Sequence, residues 1–264
     1  MKITIHAVAR FEHQVKWAKA LSDGFKKHGI EAKTTNDFTP TDCDLACFWG
    51  HSTLKDAIKN KQASEGKSYL ALERGYTRDR TEYASVGFDG PANLGEYCNK
   101  NSPPDRFAEL NLDVKPWKTD GDYILMLGQV PSDCALRGLN LAKWTEETKL
   151  KLSKITDKEV RFRPHPQYKA TVNTLKQDLS GASCVITYNS TSGVDAALNG
   201  VPAIVLDRAS MAWDVAGHSL EDVLNPPRPD RTQWLNDLAY TQWNLEELRS
   251  GKCWGHLGGY LEKR

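Results

Sequence analysis

Short β-branched apolar runs alternate along this chain with longer stretches in which apolar residues recur at helical spacing. Residues 3–8 read as a first strand. Residues 14–28 carry Val15, Ala18, Leu21 and Phe25 on one helical stripe, and Gly29 supplies the stop. Residues 31–35, 45–49 and 68–72 read as further strands, with a helix over 53–60. The pattern lapses between Thr77 and Pro116, a stretch rich in Gly, Pro, Asn and Asp. It resumes with strand 123–127, helix 144–154, strand 159–163, helix 170–179, strand 183–187, helix 193–199 and strand 202–206. Past Pro226, Pro227 and Pro229, residues 234–240 and 245–249 read as closing helices. Alternating strands and helices predict doubly wound α/β architecture. The lapse puts a junction near Trp117, so the expected domains are 1–116 and 117–264, the second including the closing helices.

Composition narrows this picture. A chain of 264 residues with 39% hydrophobic content can bury one large core or two small ones. With 35 basic against 34 acidic residues the net charge is +1, which excludes chain-wide polyelectrolyte attraction and leaves room only for local basic patches. The opening MKITIHAVAR is too short in apolar length for a secretory leader, and no segment approaches a membrane span, so a cytoplasmic protein is expected. The six cysteines, at 43, 47, 98, 134, 184 and 253, show neither Cys-x-x-Cys nor a histidine pairing, and buried reduced thiols are the expectation. Asp42-Cys43-Asp44 and Asp120-Gly121-Asp122 spell Asp-x-Asp, but each precedes a strand, where turns are rich in aspartate.

Ligands of open α/β sheets sit beyond the carboxyl ends of the strands, which selects the candidate residues. In the first half these are Arg10, His51, Glu73, Arg74 and Tyr76; in the second they are Gly128, Gln129, Arg163, His165, the turn Asn189, Ser190, Thr191, Ser192 and Gly193, and then Asp207 and Arg208. A hydroxyl-rich turn opening a helix offers backbone N–H groups to an anion, and also reads as an ordinary helix cap. Arg163 and His165, each followed by proline, add a cation and an imidazole, and together these groups predict a phosphate or diphosphate pocket. Asp195 would meet a ribose or cap the helix. Glu73 and Asp89 are candidate general bases; Glu73 also reads as a partner of Arg74 or Arg78, and Asp89 as a turn cap. Arg74, Arg78 and Arg80 with Tyr76 and Tyr83 form a basic and aromatic cluster suited to a polyanion or an extruded base, or a set of charges over a domain edge.

Over roughly residues 121–215 the chain resembles the sugar-nucleotide transferases of the GT-B type, above all the capsule-polysaccharide, Kdo-transferring group. Arg163-Pro164-His165-Pro166 is similar to that group's basic-Pro-His-Pro motif, Thr191-Ser192-Gly193-Val194-Asp195-Ala196 to its Ser/Thr-Ser-Gly-x-(Glu/Asp)-Ala motif, and Gly128 to Asp133 to its Gly-Gln-x-x-x-Asp segment. The first half matches only in general pattern. The resemblance implies an α/β GT-B fold, two Rossmann-like domains whose parallel sheets face an interdomain cleft. It assigns donor binding to Gly128, Gln129, Asp133, Arg163, His165, residues 189–193 and Asp195. It further implies a UDP- or CMP-linked sugar as substrate, with no obligatory metal or cofactor. Glu73-Arg74-Gly75-Tyr76, Asp79-Arg80 and Gly87-Phe88-Asp89-Gly90 resemble a segment of small tailed-phage proteins, which implies a glycosyltransferase acting on hydroxymethylated pyrimidines in double-stranded phage DNA, in the host cytoplasm. The alternatives are a capsule, lipopolysaccharide or other glycan acceptor, and a noncatalytic sugar-nucleotide or nucleic-acid binding protein.

Overall fold

The computed structural model describes residues 1–77 and 81–263. In chain order the elements are β1 (Ile3–His6), α1 (Glu12–Lys27), β2 (Ala32–Thr35), β3 (Leu45–Trp49), α2 (Asp56–Ser64), β4 (Tyr69–Arg74), β5 (Tyr83–Phe88), α3 (Asp105–Leu110), β6 (Tyr123–Leu127), α4 (Leu141–Leu152), β7 (Val160–Arg163), α5 (Leu175–Gly181), β8 (Ala182–Thr187), α6 (Ser192–Leu198), β9 (Ala203–Val205), α7 (Thr232–Ala239), β10 (Gln242–Asn244), α8 (Leu245–Arg249) and α9 (Lys252–Leu257). They form two α/β units.

The first unit comprises Met1–Phe107 and the segment from Asn236 onward. Its sheet runs β10-β5-β4-β3-β1-β2. Strands β2, β1, β3 and β4 are parallel, whereas β5 is antiparallel to β4 and β10 to β5. On one face Trp17, Ala18, Leu21 and Phe25 of α1 pack with Ile3, Ile5, Leu45, Leu70 and Leu72, and with Trp243, Leu248 and Trp254 from the C-terminal segment. On the other, Ala46, Phe48 and Ala71 pack with Cys43 and Ile58. Val15, expected on the buried stripe, is 45% exposed. Gln14 and Trp17 each lie four residues before Ala18 and Leu21, so the stripe runs through them instead. Gly24 allows α8 to dock on α1: a Cβ there would stand 2.0 Å from the Leu248 carbonyl oxygen.

The second unit, Ala108–Leu235, has an all-parallel sheet in the order β7-β6-β8-β9. Ile124, Leu152, Cys184, Ile186 and Ile204 form its centre. α5 begins later than the sequence pattern suggests, because Thr174 accepts from the Gln177 amide and closes a capping box. Residues 170–174 are therefore not helical.

The C-terminal segment departs from expectation. β10 adds to the first sheet and α8 and α9 pack on α1, so these elements do not close the second unit. Arg106 explains much of this attachment. It is 4% exposed, pairs with Glu247, donates to the carbonyls of Gln242 (2.8 Å) and Ala239 (3.3 Å), and lies 3.8 Å over the Trp243 ring. Gln242, fully buried on β10, accepts from the amides of Tyr76 (2.8 Å) and Thr77 (3.3 Å), fixing the loop that follows β4. Cys43, Cys47, Cys184 and Cys253 are buried thiols and Cys98 is a half-buried one, none of the five in a disulfide. Among the described residues no helix is long and apolar enough to cross a membrane.

Candidate functional site

Because β6, β7, β8 and β9 run parallel, the loops that follow them share one edge of the second sheet. Two of those loops are locked together. Gln129, after β6, donates from Nε2 to Asn189 Oδ1 at 2.8 Å, and its Oε1 accepts from the Asn189 amide at 3.3 Å. Asn189 Nδ2 donates in turn to the Ala135 carbonyl (2.8 Å) and to Asp207 Oδ1 (3.1 Å). Asp207 also accepts from the Ala209 amide at 3.0 Å and pairs with Arg137. Burial alone would raise the Asp207 carboxyl, but the bonds from Arg137, Asn189 and Ala209 hold it below the usual aspartate value. A Cβ at Gly128 would come within 2.9 Å of the Phe162 ring, so the glycine lets that ring lie against the loop after β6.

Beside this network lies a cavity of about 510 Å³ whose lining includes Gln129, Leu141, Phe162, His165, Tyr168 and Lys169. That volume suits a nucleoside-sized ligand, with mostly apolar walls and a few convergent polar groups. His165 Nδ1 accepts from the Gln167 amide at 3.2 Å, which leaves the neutral ring's proton on Nε2 and makes that nitrogen a donor.

Other expected donor ligands are used differently. Arg163 does not join His165. It pairs with Asp178 of α5, donates to the Asn173 carbonyl (2.8 Å) and Thr171 Oγ1 (3.2 Å), and lines a separate cavity of about 350 Å³. Its partner is in place because α5 opens at Leu175 and brings Asp178 to the strand. Asp133 caps a turn, with Oδ1 accepting from the Ala135 amide at 2.9 Å. In the turn after β8, Ser190 Oγ accepts from the Ser192 amide (3.2 Å), and the Ser190 carbonyl accepts from the Gly193 amide (3.0 Å). Ser190 and Gly193 are buried, whereas Thr191, Ser192 and Asp195 are half-buried, and none of the five lines either cavity. The turn thus spends part of its hydrogen-bonding capacity on itself.

The two base candidates stand at opposite ends of β4. Glu73 lies at the carboxyl end, half-buried and paired in register with Ser85. Asp89 lies at the amino end, where its carboxylate accepts from Ser68 Oγ (2.8 Å) and the Tyr69 amide (2.9 Å) at a backbone φ of 61°. The bonds of Asp89 make it a turn cap at the amino edge, whereas Glu73 stands at the carboxyl edge, the edge at which open α/β sheets bind ligands. Asp89→Asn, which tolerates positive φ, is expected to keep turnover with a lowered melting temperature, whereas Glu73→Gln is expected to fold normally and lose turnover. Equal loss of activity in both variants, measured by product formation at saturating donor, would reverse the assignment.

On the acceptor side, Tyr76 is interior. It is 4% exposed, its hydroxyl meets that of Tyr97 at 3.1 Å, and burial pushes its phenol well above the ordinary value. His51 is buried, and burial followed by Lys59 and Lys55 lowers it to about 4, so it is a neutral imidazole rather than a cation at neutral pH. Arg10 and Arg74 are exposed. Arg78 and Arg80 lie outside the described residues. Among the described residues no group of three or more His, Cys, Asp or Glu could hold a metal ion, and Asp44 of the first Asp-x-Asp accepts from the Lys2 amide at 2.6 Å.

Two α/β units, the second an all-parallel sheet with its polar loops on the carboxyl edge, give a fold of the GT-B type. The chain is similar in fold to the β-Kdo 2,4-transferase of KpsC from Thermosulfurimonas dismutans, at a TM-score of 0.59 and 14% identity over 91% of this chain and 90% of that one. It is likewise similar to the β-Kdo 2,7-transferase of the same protein, at a TM-score of 0.52 and 15% identity over 99% of both chains. No protein-family model matches the chain.

Proposed function

We propose that this protein is a glycosyltransferase that takes a sugar from a nucleotide donor held by the second unit and delivers it to an acceptor hydroxyl. The observation that carries this reading is the Gln129–Asn189 lock, which fixes two strand-end loops beside a nucleoside-sized cavity that His165 also lines. In the reaction the anomeric C–O bond to the nucleotide phosphate breaks and the acceptor oxygen forms the new C–O bond. The bonding electrons leave with the phosphate, and the acceptor proton passes to a general base. His165 Nε2–H stabilises the negative charge that develops on the departing phosphoryl oxygen. The fold shared with two Kdo transferases supports the class of reaction. A UDP- or CMP-linked sugar is the proposed donor, and a hydroxymethylated pyrimidine in DNA the proposed acceptor.

Thermal unfolding with UDP and CMP tests the donor half. One of them is expected to raise the melting temperature, and His165→Ala to abolish that rise. Arg163→Ala is expected to lower the melting temperature, because it leaves Asp178 without its guanidinium, yet to retain the nucleotide-induced rise. No rise with any nucleotide would remove the proposal. For the acceptor, hydroxymethylated DNA incubated with a panel of nucleotide sugars is expected to yield a heavier nucleoside by mass spectrometry; product on glycans alone would reassign the acceptor.

A further inference from the structure

Tyr76 is buried and so does not contribute to the aromatic and basic cluster that the sequence suggests, while the fold assembles another one nearby. At the carboxyl edge of the first sheet, Arg10 follows β1, Arg74 ends β4 and Trp49 ends β3, while Phe11 and His13 open α1. Their side chains form a continuous series. The Arg10 guanidinium lies 5.0 Å from the centre of the Phe11 ring, Phe11 lies 5.9 Å from His13, and His13 meets Trp49 edge-on at 5.1 Å. Trp49 is in turn 6.0 Å from the buried Trp17, which anchors the series to the core. Burial, and after it the Arg74 charge, hold the His13 imidazole below its usual value.

Among the described residues the guanidinium groups of Arg10 and Arg74 differ from other arginines of the chain. Arg106, Arg137, Arg161, Arg163 and Arg249 each pair with a carboxylate. Arg10 and Arg74 have no carboxylate within ion-pair distance among the described residues. Phe11 is 40% exposed, and Arg10, His13 and Arg74 are also exposed. Guanidinium groups without an ion-pair partner among the described residues, set among accessible rings, match a ligand that alternates negative charge with flat π-faces. A polynucleotide strand has that chemistry: each phosphate is followed by a base that can stack on an aromatic ring. Glu12 is next to Phe11 in sequence, so the attraction is local, in keeping with a net charge of +1.

We propose that this edge of the first unit binds single-stranded nucleic acid, or a strand opened from a duplex, with two phosphates meeting Arg10 and Arg74 and a base stacking on Phe11. This rests on the DNA-acceptor reading and specifies where and in what form the strand is held. The direct test needs no donor and no turnover. Fluorescence anisotropy of a labelled single-stranded oligonucleotide with the full chain, across a salt series, gives both the affinity and its salt slope.

Arg10→Ala and Arg74→Ala are each expected to weaken binding and to reduce the slope of log K against log salt by about 0.7, the value for one phosphate contact on a single strand. Phe11→Ala is expected to weaken binding about tenfold, the scale of one lost stacking contact, with the slope unchanged. All three positions are exposed, and each variant should keep the nucleotide-induced rise in melting temperature, so failure here is distinguishable from failure of the donor site. Absence of single-strand binding, a slope unaltered in both arginine variants, or equal competition by an anionic polysaccharide of matched charge would overturn the proposal.

Discussion

Replacing Arg106 by alanine is expected to destabilise the protein by about 3–5 kcal/mol, the range seen when one partner of a buried ion pair is removed. Glu247 would then hold a largely buried carboxylate without its guanidinium, and the carbonyls of Ala239 and Gln242 would lose their donors. The Trp243 ring would also lose the cation stacked 3.8 Å above it. A fall in the urea midpoint of unfolding measures the effect, and a change below about 1 kcal/mol would show that the C-terminal segment is held by its apolar contacts alone. The same pair has a pH signature. Burial works to raise the Glu247 carboxyl, but the bonds from Arg106 and the Asn244 amide keep it below the ordinary glutamate value. Its contribution is therefore complete above the unfolded value of about 4.3 and is lost as pH falls through the folded value. His51 acts in the same direction at higher pH: buried neutral at about 4, it disfavours the folded state progressively as pH drops below the unfolded value of about 6.5. Acid titration of the wild type should show both phases, and Arg106→Ala should remove the lower one.

Much of the fold was legible because its strands are apolar runs bounded by turn residues. The strands Leu45–Trp49 and Tyr123–Leu127 and the helix Leu245–Arg249 coincide with the segments read from pattern alone. The strand β5 was not legible, for a physical reason. Ala84, Val86 and Phe88 alternate with Ser85 and Gly87, and Gly87 is small because the Tyr97 ring lies where a Cβ would go, 2.5 Å away. Such a strand lies inside a Gly- and Asn-rich stretch and looks like loop. β10 has three residues, too few for any period to show, and its membership of the first sheet depends on pairing with a strand more than 150 positions earlier. Local composition carries no record of such a partner.

The candidate site divides along the same line. Gln129 and Asn189 stand out as candidates in the sequence because each follows an apolar strand, and His165 because it lies just past the short strand that ends at Arg163; strand ends are where α/β sheets place their chemistry. The fate of Arg163 could not, because it depends on where α5 begins and hence on which face Asp178 presents. Arg137 was missed altogether. It sits in a turn at a φ of 47°, and only the approach of the loop after β9 brings it to Asp207. Similarly, Phe11 and His13 open α1 whereas Trp49 ends β3, and nothing in the sequence announces their common surface.

Asn189→Ala is expected to abolish nucleotide binding while lowering stability by only part of the loss seen at Arg106. Truncation removes the acceptor of Gln129 Nε2 and the donor to the Ala135 carbonyl. Leaving a buried polar group unsatisfied costs about 1–3 kcal/mol, and the loops after β6 and β8 would no longer be held in one register. Asn189→Asp sharpens the test. Its oxygen still accepts from Gln129, but the Nδ2 donor to Asp207 is gone, and a second carboxylate faces Asp207 where an amide stood at 3.1 Å. Two like charges at that distance repel, so the aspartate variant should be less stable than the alanine variant at neutral pH and should recover relative to it as pH falls and one carboxyl takes up a proton. Thermal unfolding across pH, with and without nucleotide, separates the two effects. A nucleotide-induced rise of wild-type size in Asn189→Ala would mean that the lock serves the fold of the second unit and that the donor binds elsewhere.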